Sequence, residues 1–285
     1  MNDLPRQVTS KIKMYADDCI IYREITSSSD QKELQLDLER VSQWCAKWQM
    51  TLNREKTFVM SITHKKQTYR FPCVLQSEPI QFVLKHRYLG IIFDTRLSWQ
   101  PHIAEICCKS YRRLYSLQIA LKLASPDTKM AAYKTYIRSI IDYASTAWFP
   151  ETKSLQAQIE MVQRKSLRFI FGKFNRLDSP SLLRLEAGLP TLCTRTKIQR
   201  LKTLWQIING SIKIPSEKYI TFSDKGSTRT NHNRAIKPYY CRVNTFRNSF
   251  FPTAIKEWNA LPSVIVNSKS LSTFLCKLKD FLHDN

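Results

Sequence analysis

The chain has 285 residues, of which 43% are hydrophobic, enough to bury one large core or two smaller ones. Lys and Arg number 45 against 23 for Asp and Glu, a formal net charge of +22 at pH 7. This excess predicts a polyanionic partner, nucleic acid or an anionic membrane surface, with a merely soluble basic protein as the alternative. Since no apolar run reaches the roughly 18 residues of a membrane span and no signal-peptide pattern is present, we expect an intracellular protein.

The charge is unevenly distributed along the chain. Residues 1–60 carry no net charge, residues 61–150 carry +8 and residues 151–285 carry +14. The basic surface is therefore expected downstream of residue 60, separate from the carboxylates near the N-terminus. The eight cysteines are scattered, without CxxC pairs or zinc spacing, so we expect reduced thiols.

The first part of the chain predicts strands and one helix. Two short apolar segments flank Asp17-Asp18, which predicts a β-hairpin with both aspartates at its tip, dipping into a core. Residues 30–48 have helical periodicity, with Asp30 at the predicted start and Trp48 on the apolar face. Residues 57–94 are rich in β-branched and aromatic residues, broken by prolines, and predict short strands and hairpins.

From Pro101 onward the sequence predicts successive helices. Ser125-Pro126-Asp127 predicts a helix start, and one apolar face then continues from Met130 to Trp148. Further predicted elements are helices over about 153–171, between Pro180 and Pro190 and over 194–209, a basic loop over 215–248, and short helices over 250–261 and 271–282. The predicted fold class is α+β, with a small hairpin-containing part followed by a mostly helical part.

The two adjacent aspartates have a specific chemical use. Nucleotidyl transfer requires Mg²⁺ held by carboxylates, and a rigid turn between strands limits the freedom of such side chains. The alternative is an ordinary solvated turn, because Asp is common in turns. Apolar strands on both sides favour the metal site, since buried carboxylates need a cation.

Further segments accompany this turn in a fixed order. They are Asn2-Asp3-Leu4-Pro5, Tyr15-Ala16-Asp17-Asp18, Trp48-Gln49-Met50-Thr51-Leu52-Asn53 with Lys56, Tyr88-Leu89-Gly90-Ile91, Tyr143-Ala144-Ser145-Thr146-Ala147-Trp148, and Trp258-Asn259 with Leu261-Pro262. The series resembles palm motifs C, D and E, the thumb and the C-terminal tail of reverse transcriptases from non-LTR (LINE-type, jockey-like) retrotransposons. The resemblance covers essentially the whole chain.

The resemblance implies a role for each matching residue. Asp17 would be a catalytic metal ligand for Mg²⁺, and its neighbour Asp18 would be a second catalytic ligand or an electrostatic supporter. Lys56 would protonate the departing pyrophosphate, although an exposed lysine after a turn is the alternative. Tyr88, Leu89 and Gly90 would form the primer grip, with core packing as the alternative for the first two. The basic residues expected to contact the RNA template and DNA primer, or an RNA–DNA hybrid, are Lys129, Lys134, Arg138, Arg164, Lys165 and Arg168; a solvated helix face is their alternative.

The same resemblance divides the chain into a partial palm over 1–95, a helical thumb over 96–214, and a basic loop with docking helices over 215–285. Sixteen residues precede Asp17, which is too few for the fingers and the motif A strand, so we expect a C-terminal fragment with an incomplete two-metal site. Asp94 and Asp142 stand in motif E-like and thumb-like contexts and are not assigned to that site. The alternatives are a non-catalytic RNA or hybrid-binding module and, with less support, a metal-dependent nuclease.

Overall fold

The computed structural model describes residues 3–65, 71–175, 177–223 and 232–283. The chain divides into two compact units, unit 1 (Met1–Ser98) and unit 2 (Trp99–Asn285), and each is described by itself. Short paired strands occur in unit 1 and helices dominate unit 2, so the predicted α+β class is confirmed.

Unit 1 contains one long helix, and its described strands form two-stranded sheets. Its helix α1 spans Ser28–Lys47. The antiparallel pairs are β1 (Lys11–Tyr15) with β2 (Asp18–Tyr22), β4 (Val74–Leu75) with β5 (Glu78–Pro79), and β7 (Lys85–Tyr88) with β8 (Ile91–Asp94); β3 (Phe58–Val59) pairs in parallel with β6 (Gln81–Phe82). The strands and hairpins predicted for residues 57–94 are thus confirmed.

Helix α1 begins before the predicted position. Ser27 is the N-cap, because its side chain accepts a hydrogen bond from the Asp30 backbone N–H, and the Asp30 carboxylate accepts one from the Ser27 backbone. Hydrogen bonds from Thr26 and Ser27 lower the pKa of Asp30 to about 2. The prediction placed the start at Asp30, which is instead the third helical residue. Trp48 is the C-cap and is 56% exposed, so its predicted place on the apolar face is wrong.

A buried carboxylate on α1 holds the segment that leads into β1. Asp37 accepts hydrogen bonds from the backbone N–H groups of Thr9 (2.9 Å) and Ser10 (2.7 Å). The Thr9 hydroxyl and the Arg40 guanidinium also donate to it. Burial opposes ionisation of Asp37, but the hydrogen bonds outweigh it and hold the pKa below the ordinary value. The hairpin β1–β2 is thereby attached to α1.

Unit 2 consists of helices. In chain order they are α2 (Gln100–Ala120), α3 (Pro126–Ala132), α4 (Ser139–Asp142), α5 (Ser145–Trp148), α6 (Lys153–Phe171), α7 (Pro180–Glu186), α8 (Leu192–Ile208), α9 (Asn244–Arg247), α10 (Phe250–Asn259), α11 (Ser263–Val266) and α12 (Leu271–His283). The helices predicted over 153–171 and 194–209 are confirmed to within two residues. The short helix predicted between Pro180 and Pro190 is present but ends at Glu186. In the described part of 215–248 only a short 3₁₀ turn, Ser216–Lys218, and α9 are helical, so the predicted loop is largely confirmed.

The segment from Pro126 to Trp148 is less regular than predicted. Ser125 caps α3 as expected, but a π-helical turn over Tyr133–Arg138 separates α3 from α4. Ala144 then takes a left-handed φ of 49° and α5 follows. The wider π turn changes the helical phase, yet Tyr133, Ile141 and Trp148 are all buried as the apolar spacing indicated.

The C-terminal helices pack on α8 in one core. The Phe274 ring stacks against Trp205 at 5.9 Å between ring centroids and lies 6.0 Å from Trp258. The Trp258 indole N–H donates to the Arg234 carbonyl, so this buried ring has no unpaired donor. The predicted docking of the terminal helices is confirmed. Across the described residues, no helix is both long and apolar enough to cross a membrane.

We predict that Asp37→Asn destabilises unit 1 by about 2 kcal/mol at neutral pH, because an amide cannot replace the charge that four donors address. The depressed folded-state pKa means that the ionised carboxylate stabilises fully above about pH 4 and progressively less as the pH falls further. The difference between the two proteins should therefore shrink below about pH 4.

Hydrogen exchange of peptides that contain Thr9 and Ser10 measures this effect. Glu24→Gln, at an exposed position of the same unit, is the control and should leave their protection unchanged. Equal protection in Asp37→Asn and the unsubstituted protein at neutral pH would contradict the prediction.

Candidate active site and nucleic-acid interface

The Asp17-Asp18 turn lies at the tip of the β1–β2 hairpin. Tyr15 pairs with Asp18, so only Ala16 and Asp17 form the loop. Ala16 has a φ of 51°, the left-handed conformation that two-residue hairpin loops favour at their first position. Both aspartates are exposed. The predicted hairpin tip is confirmed.

The surroundings of the hairpin differ from the expectation. It was predicted to dip into a core, but only one face of it is covered within unit 1. Ile12, Met14 and Ile21 pack against a small cluster on α1 and near the N-terminus, whereas Tyr15 is 67% exposed. A two-stranded hairpin buries one face at most against a single helix, so burial does not force these carboxylates to pair with a cation.

The predicted primer grip forms a second two-residue turn. Tyr88 pairs with Ile91, and Leu89 and Gly90 between them have φ values of 46° and 77°. Two successive residues with positive φ are typical of a type I′ turn. Gly90, which has no Cβ, adopts its positive φ at no steric cost. Tyr88 is half-buried, as is Leu89.

Asp18 and Tyr88 lie within electrostatic reach of each other. Burial raises the pKa of the Tyr88 phenol, and the charge of Asp18 raises it further, because a nearby carboxylate disfavours the phenolate. The sequence separates these residues by two strand pairs and a helix. Two residues far apart in the sequence therefore interact electrostatically in unit 1.

Lys56 and Asp94 occupy local turns. Lys56 ends a 3₁₀ turn, Arg54–Lys56, where its backbone N–H donates to Asn53 Oδ1, and its side chain is exposed. Within the described residues it shares no ion pair with Asp17 or Asp18. The Asp94 carboxylate accepts from the Ser98 backbone N–H at 2.7 Å and from its hydroxyl, which is a structural use.

Asp17 and Asp18 supply the oxygen ligands that Mg²⁺ takes in proteins, and their exposure leaves them accessible to an ion. In residues 3–65, 71–175, 177–223 and 232–283, however, no group of three or more His, Cys, Asp or Glu side chains is arranged to hold a metal ion. The pair therefore fits one part of a magnesium site and leaves the remaining ligands to other groups, such as substrate phosphates.

The predicted basic residues of unit 2 fall into two groups. Lys134, Arg164 and Lys165 are exposed. Lys129 is half-buried, with its ammonium 5.3 Å from the centroid of the Phe169 ring. These four can reach solvent and an anionic ligand.

Arg138 and Arg168 are held by other parts of the protein. Arg138 lies 3.7 Å from Asp142, which also accepts three hydrogen bonds of 2.6–2.9 Å from Arg195. Burial, then the charge of Arg195, lower the pKa of Arg138. Arg168 donates to the carbonyls of residues 174, 175 and 178. The Arg138–Asp142 pair has the i,i+4 spacing of a helical ion pair, whereas nothing in the sequence indicated the carbonyl partners of Arg168.

Sequence reasoning did not identify a groove between α2 and α6. It is lined by side chains that include Tyr111, Tyr115, Lys165 and Phe174. Residues 111, 114, 115 and 118 share one face of α2, so their helical spacing was a usable signal. The Asp142–Arg195 pair, 53 residues apart, had no local signal.

We predict that Asp18→Asn lowers the pKa of Tyr88 toward its ordinary value, because it removes the charge that disfavours the phenolate. The pH titration of the Tyr88 ring signals in the NMR spectrum of the labelled protein measures it. Asp17→Asn is the matched control, since Asp17 does not contribute to the shift, and it should change the pKa less. An equal effect of both substitutions would show that the two turns are not arranged as described.

Comparison with known proteins places these turns in a family context. Residues 1–93, which contain both hairpin tips, match the family described as reverse transcriptase (RNA-dependent DNA polymerase). No solved structure matches the chain significantly.

Three fruit fly proteins are similar over about half of the chain. The chain is 27% identical over 161 residues to a probable RNA-directed DNA polymerase from transposon BS of Drosophila melanogaster, covering 55% of the chain. It is 25% identical over 167 residues to the probable polymerase from transposon X-element and 28% identical over 167 residues to that of the mobile element jockey, covering 57% and 56% of the chain. Each match spans 18% of the relative's length. The chain is thus similar, over part of its length, to RNA-directed DNA polymerases of mobile elements.

Proposed function

We propose that this chain is part of an RNA-directed DNA polymerase of a non-LTR retrotransposon. In this proposal the Asp17-Asp18 turn is one part of the catalytic metal site and the Tyr88-Leu89-Gly90 turn is the primer grip. The exposed basic residues of unit 2 bind the phosphates of the RNA template and DNA primer. The chain matches only 18% of the length of these relatives, so their activity is carried to it as part of this proposal.

The observation that carries the proposal is the position of the two turns. Both lie within residues 1–93, which match the reverse transcriptase family, and the charge of Asp18 acts on Tyr88. A polymerase must bring the primer end and the metal-binding carboxylates together, because effective catalysis depends on positioning the 3′-hydroxyl and the triphosphate in one geometry. The electrostatic effect of Asp18 on Tyr88 supports such a convergence.

Mg²⁺ held by Asp17 and Asp18 would neutralise charge on the triphosphate and activate the primer hydroxyl. The residues of the chain have complementary tasks. The short loop at Ala16 restricts the positions of the two carboxylates, and the buried Asp37 holds the segment that leads into the hairpin. Lys56 is proposed as a proton donor to pyrophosphate; its exposed side chain is free to move toward a bound substrate.

The second candidate is a module that binds RNA or RNA–DNA hybrid without catalysis. The small number of metal ligands favours this candidate. Among the described residues, no third His, Cys, Asp or Glu joins the two aspartates in a group that could hold a metal ion. The charge of +22 suits both candidates. Because neither candidate is expected to extend a primer as the isolated chain, only template-dependent extension that disappears in Asp17→Ala would decide for the first. The described residues give the nuclease alternative no further support.

We predict that the chain binds RNA–DNA hybrid with an affinity that falls steeply as salt rises, because phosphate contacts release counterions. Lys134→Ala combined with Arg164→Ala should weaken binding and reduce the slope of log K against log salt by roughly one for each phosphate that the variant no longer neutralises. Fluorescence anisotropy at several salt concentrations measures both quantities.

The matched control removes the same charge from unit 1. Lys32→Ala combined with Lys47→Ala, at exposed positions of α1, should leave the slope unchanged. Binding that does not respond to salt, or an equal effect of both double variants, would contradict the assignment of the phosphate-binding surface to unit 2.

We predict that the chain alone does not extend a primer on a poly(A) template with Mg²⁺ or Mn²⁺. Two adjacent carboxylates on one turn repel each other and cannot surround a pair of ions, whereas polymerisation needs carboxylates from more than one strand. The assay compares the chain with Asp17→Ala. Template-dependent extension that disappears in Asp17→Ala would show that another carboxylate completes the site.

A further inference from the structure

The groove between α2 and α6 combines aromatic and basic side chains. Its volume is about 410 Å³, which lies in the usual range for small-ligand sites. Tyr111, Leu114, Tyr115 and Gln118 come from α2. Lys165 and Arg168 come from α6, and Phe174 follows its C-terminus. None of these lining residues is acidic.

Two rings in this groove are largely uncovered. Tyr115 is 66% exposed and Phe174 is 62% exposed, although aromatic side chains contribute most to stability when buried. Leu114, by contrast, is buried and closes the floor of the groove. Both rings line the groove and leave most of their surface accessible to a ligand.

The two basic side chains of the groove, Lys165 and Arg168, make different contacts. The Lys165 ammonium lies 4.7 Å from the centroid of the Tyr111 ring, an attractive cation–π contact, and its side chain is exposed. Arg168 binds the carbonyls of Phe174, Asn175 and Asp178, so it positions the loop that carries Phe174. Lys165 is the group available to an anion, and Arg168 is a positioning residue.

From these contacts we infer that the groove binds an unpaired base of single-stranded nucleic acid. The base stacks on Tyr115 or Phe174, and the adjacent phosphate contacts Lys165. Stacking on aromatic residues beside a positive groove is a general mode of single-strand binding, tolerant of sequence because every base has a π face. The inference rests on the nucleic-acid binding proposed above and adds to it a specific site for an unpaired nucleotide.

The test uses the full chain at low salt and three probes of equal length. They are a single-stranded RNA with one fluorescent adenine analogue, a strand with the same backbone but without bases, and a blunt RNA–DNA hybrid. We expect the single strand with bases to bind more tightly than the strand without them. Quenching of the analogue should accompany binding, because stacking on a ring quenches it.

Tyr115→Ala and Phe174→Ala should each weaken binding of the base-bearing strand by about tenfold and reduce the quenching. The strand without bases and the blunt hybrid should be unaffected. Both rings are mostly exposed, so their removal should leave the fold intact. Tyr115→Phe retains the ring and should retain binding. The matched control is Tyr240→Ala, which removes an exposed ring that does not line the groove.

The outcomes separate the groove from the wider function. Equal binding of strands with and without bases, together with unchanged quenching in Tyr115→Ala and Phe174→Ala, would overturn the groove site while hybrid binding stands. Failure of all three probes to bind at low salt would overturn the groove site and the proposed nucleic-acid binding together.

Discussion

An isolated two-stranded hairpin is only marginally stable in water, and the β1–β2 hairpin has no third strand beside it among the described residues. The buried carboxylate of Asp37 compensates for this lack. It accepts hydrogen bonds from the backbone at Thr9 and Ser10 immediately before β1 and so joins the hairpin to α1. The apolar contacts of Ile12 and Ile21 act on the same face. The attachment of the hairpin that carries Asp17 and Asp18 therefore depends in part on a third aspartate that is buried and paired.

Local signals in the sequence predicted the local features of the fold. Apolar flanks and a pair of aspartates defined the hairpin tip, and Ser125-Pro126 defined the start of α3. Helical spacing defined α6, whose Ile159 and Val162 are buried as expected. These features arise from short-range preferences, namely turn conformation, capping and the 3.6-residue period, so a single sequence contains the information. The roles assigned to Lys56, Tyr88 and the basic residues remain predictions.

Features that depend on distant partners could not be predicted in this way. Arg168 lies one helical turn after the exposed Arg164 on α6, yet its guanidinium donates to carbonyls of the loop that follows the helix. The approach of Tyr88 to Asp18 and the pairing of Asp142 with Arg195 arise from the tertiary fold. The start of α1 was misplaced for a simpler reason: Asp30 and Ser27 are both favourable at a helix N-terminus, and their reciprocal hydrogen bonds decide which one is the cap.

The stacking of Phe274 on Trp205 links residues that are far apart in the sequence, and it constrains how unit 2 folds during synthesis. A ribosome releases α8 well before α12, so the apolar side chains of Leu201 and Trp205 are exposed until residues 254–278 emerge. Unit 2 cannot bury this core progressively from its N-terminal side. In the interval the nascent chain presents an uncovered apolar face, the kind of surface that chaperones bind and that promotes aggregation.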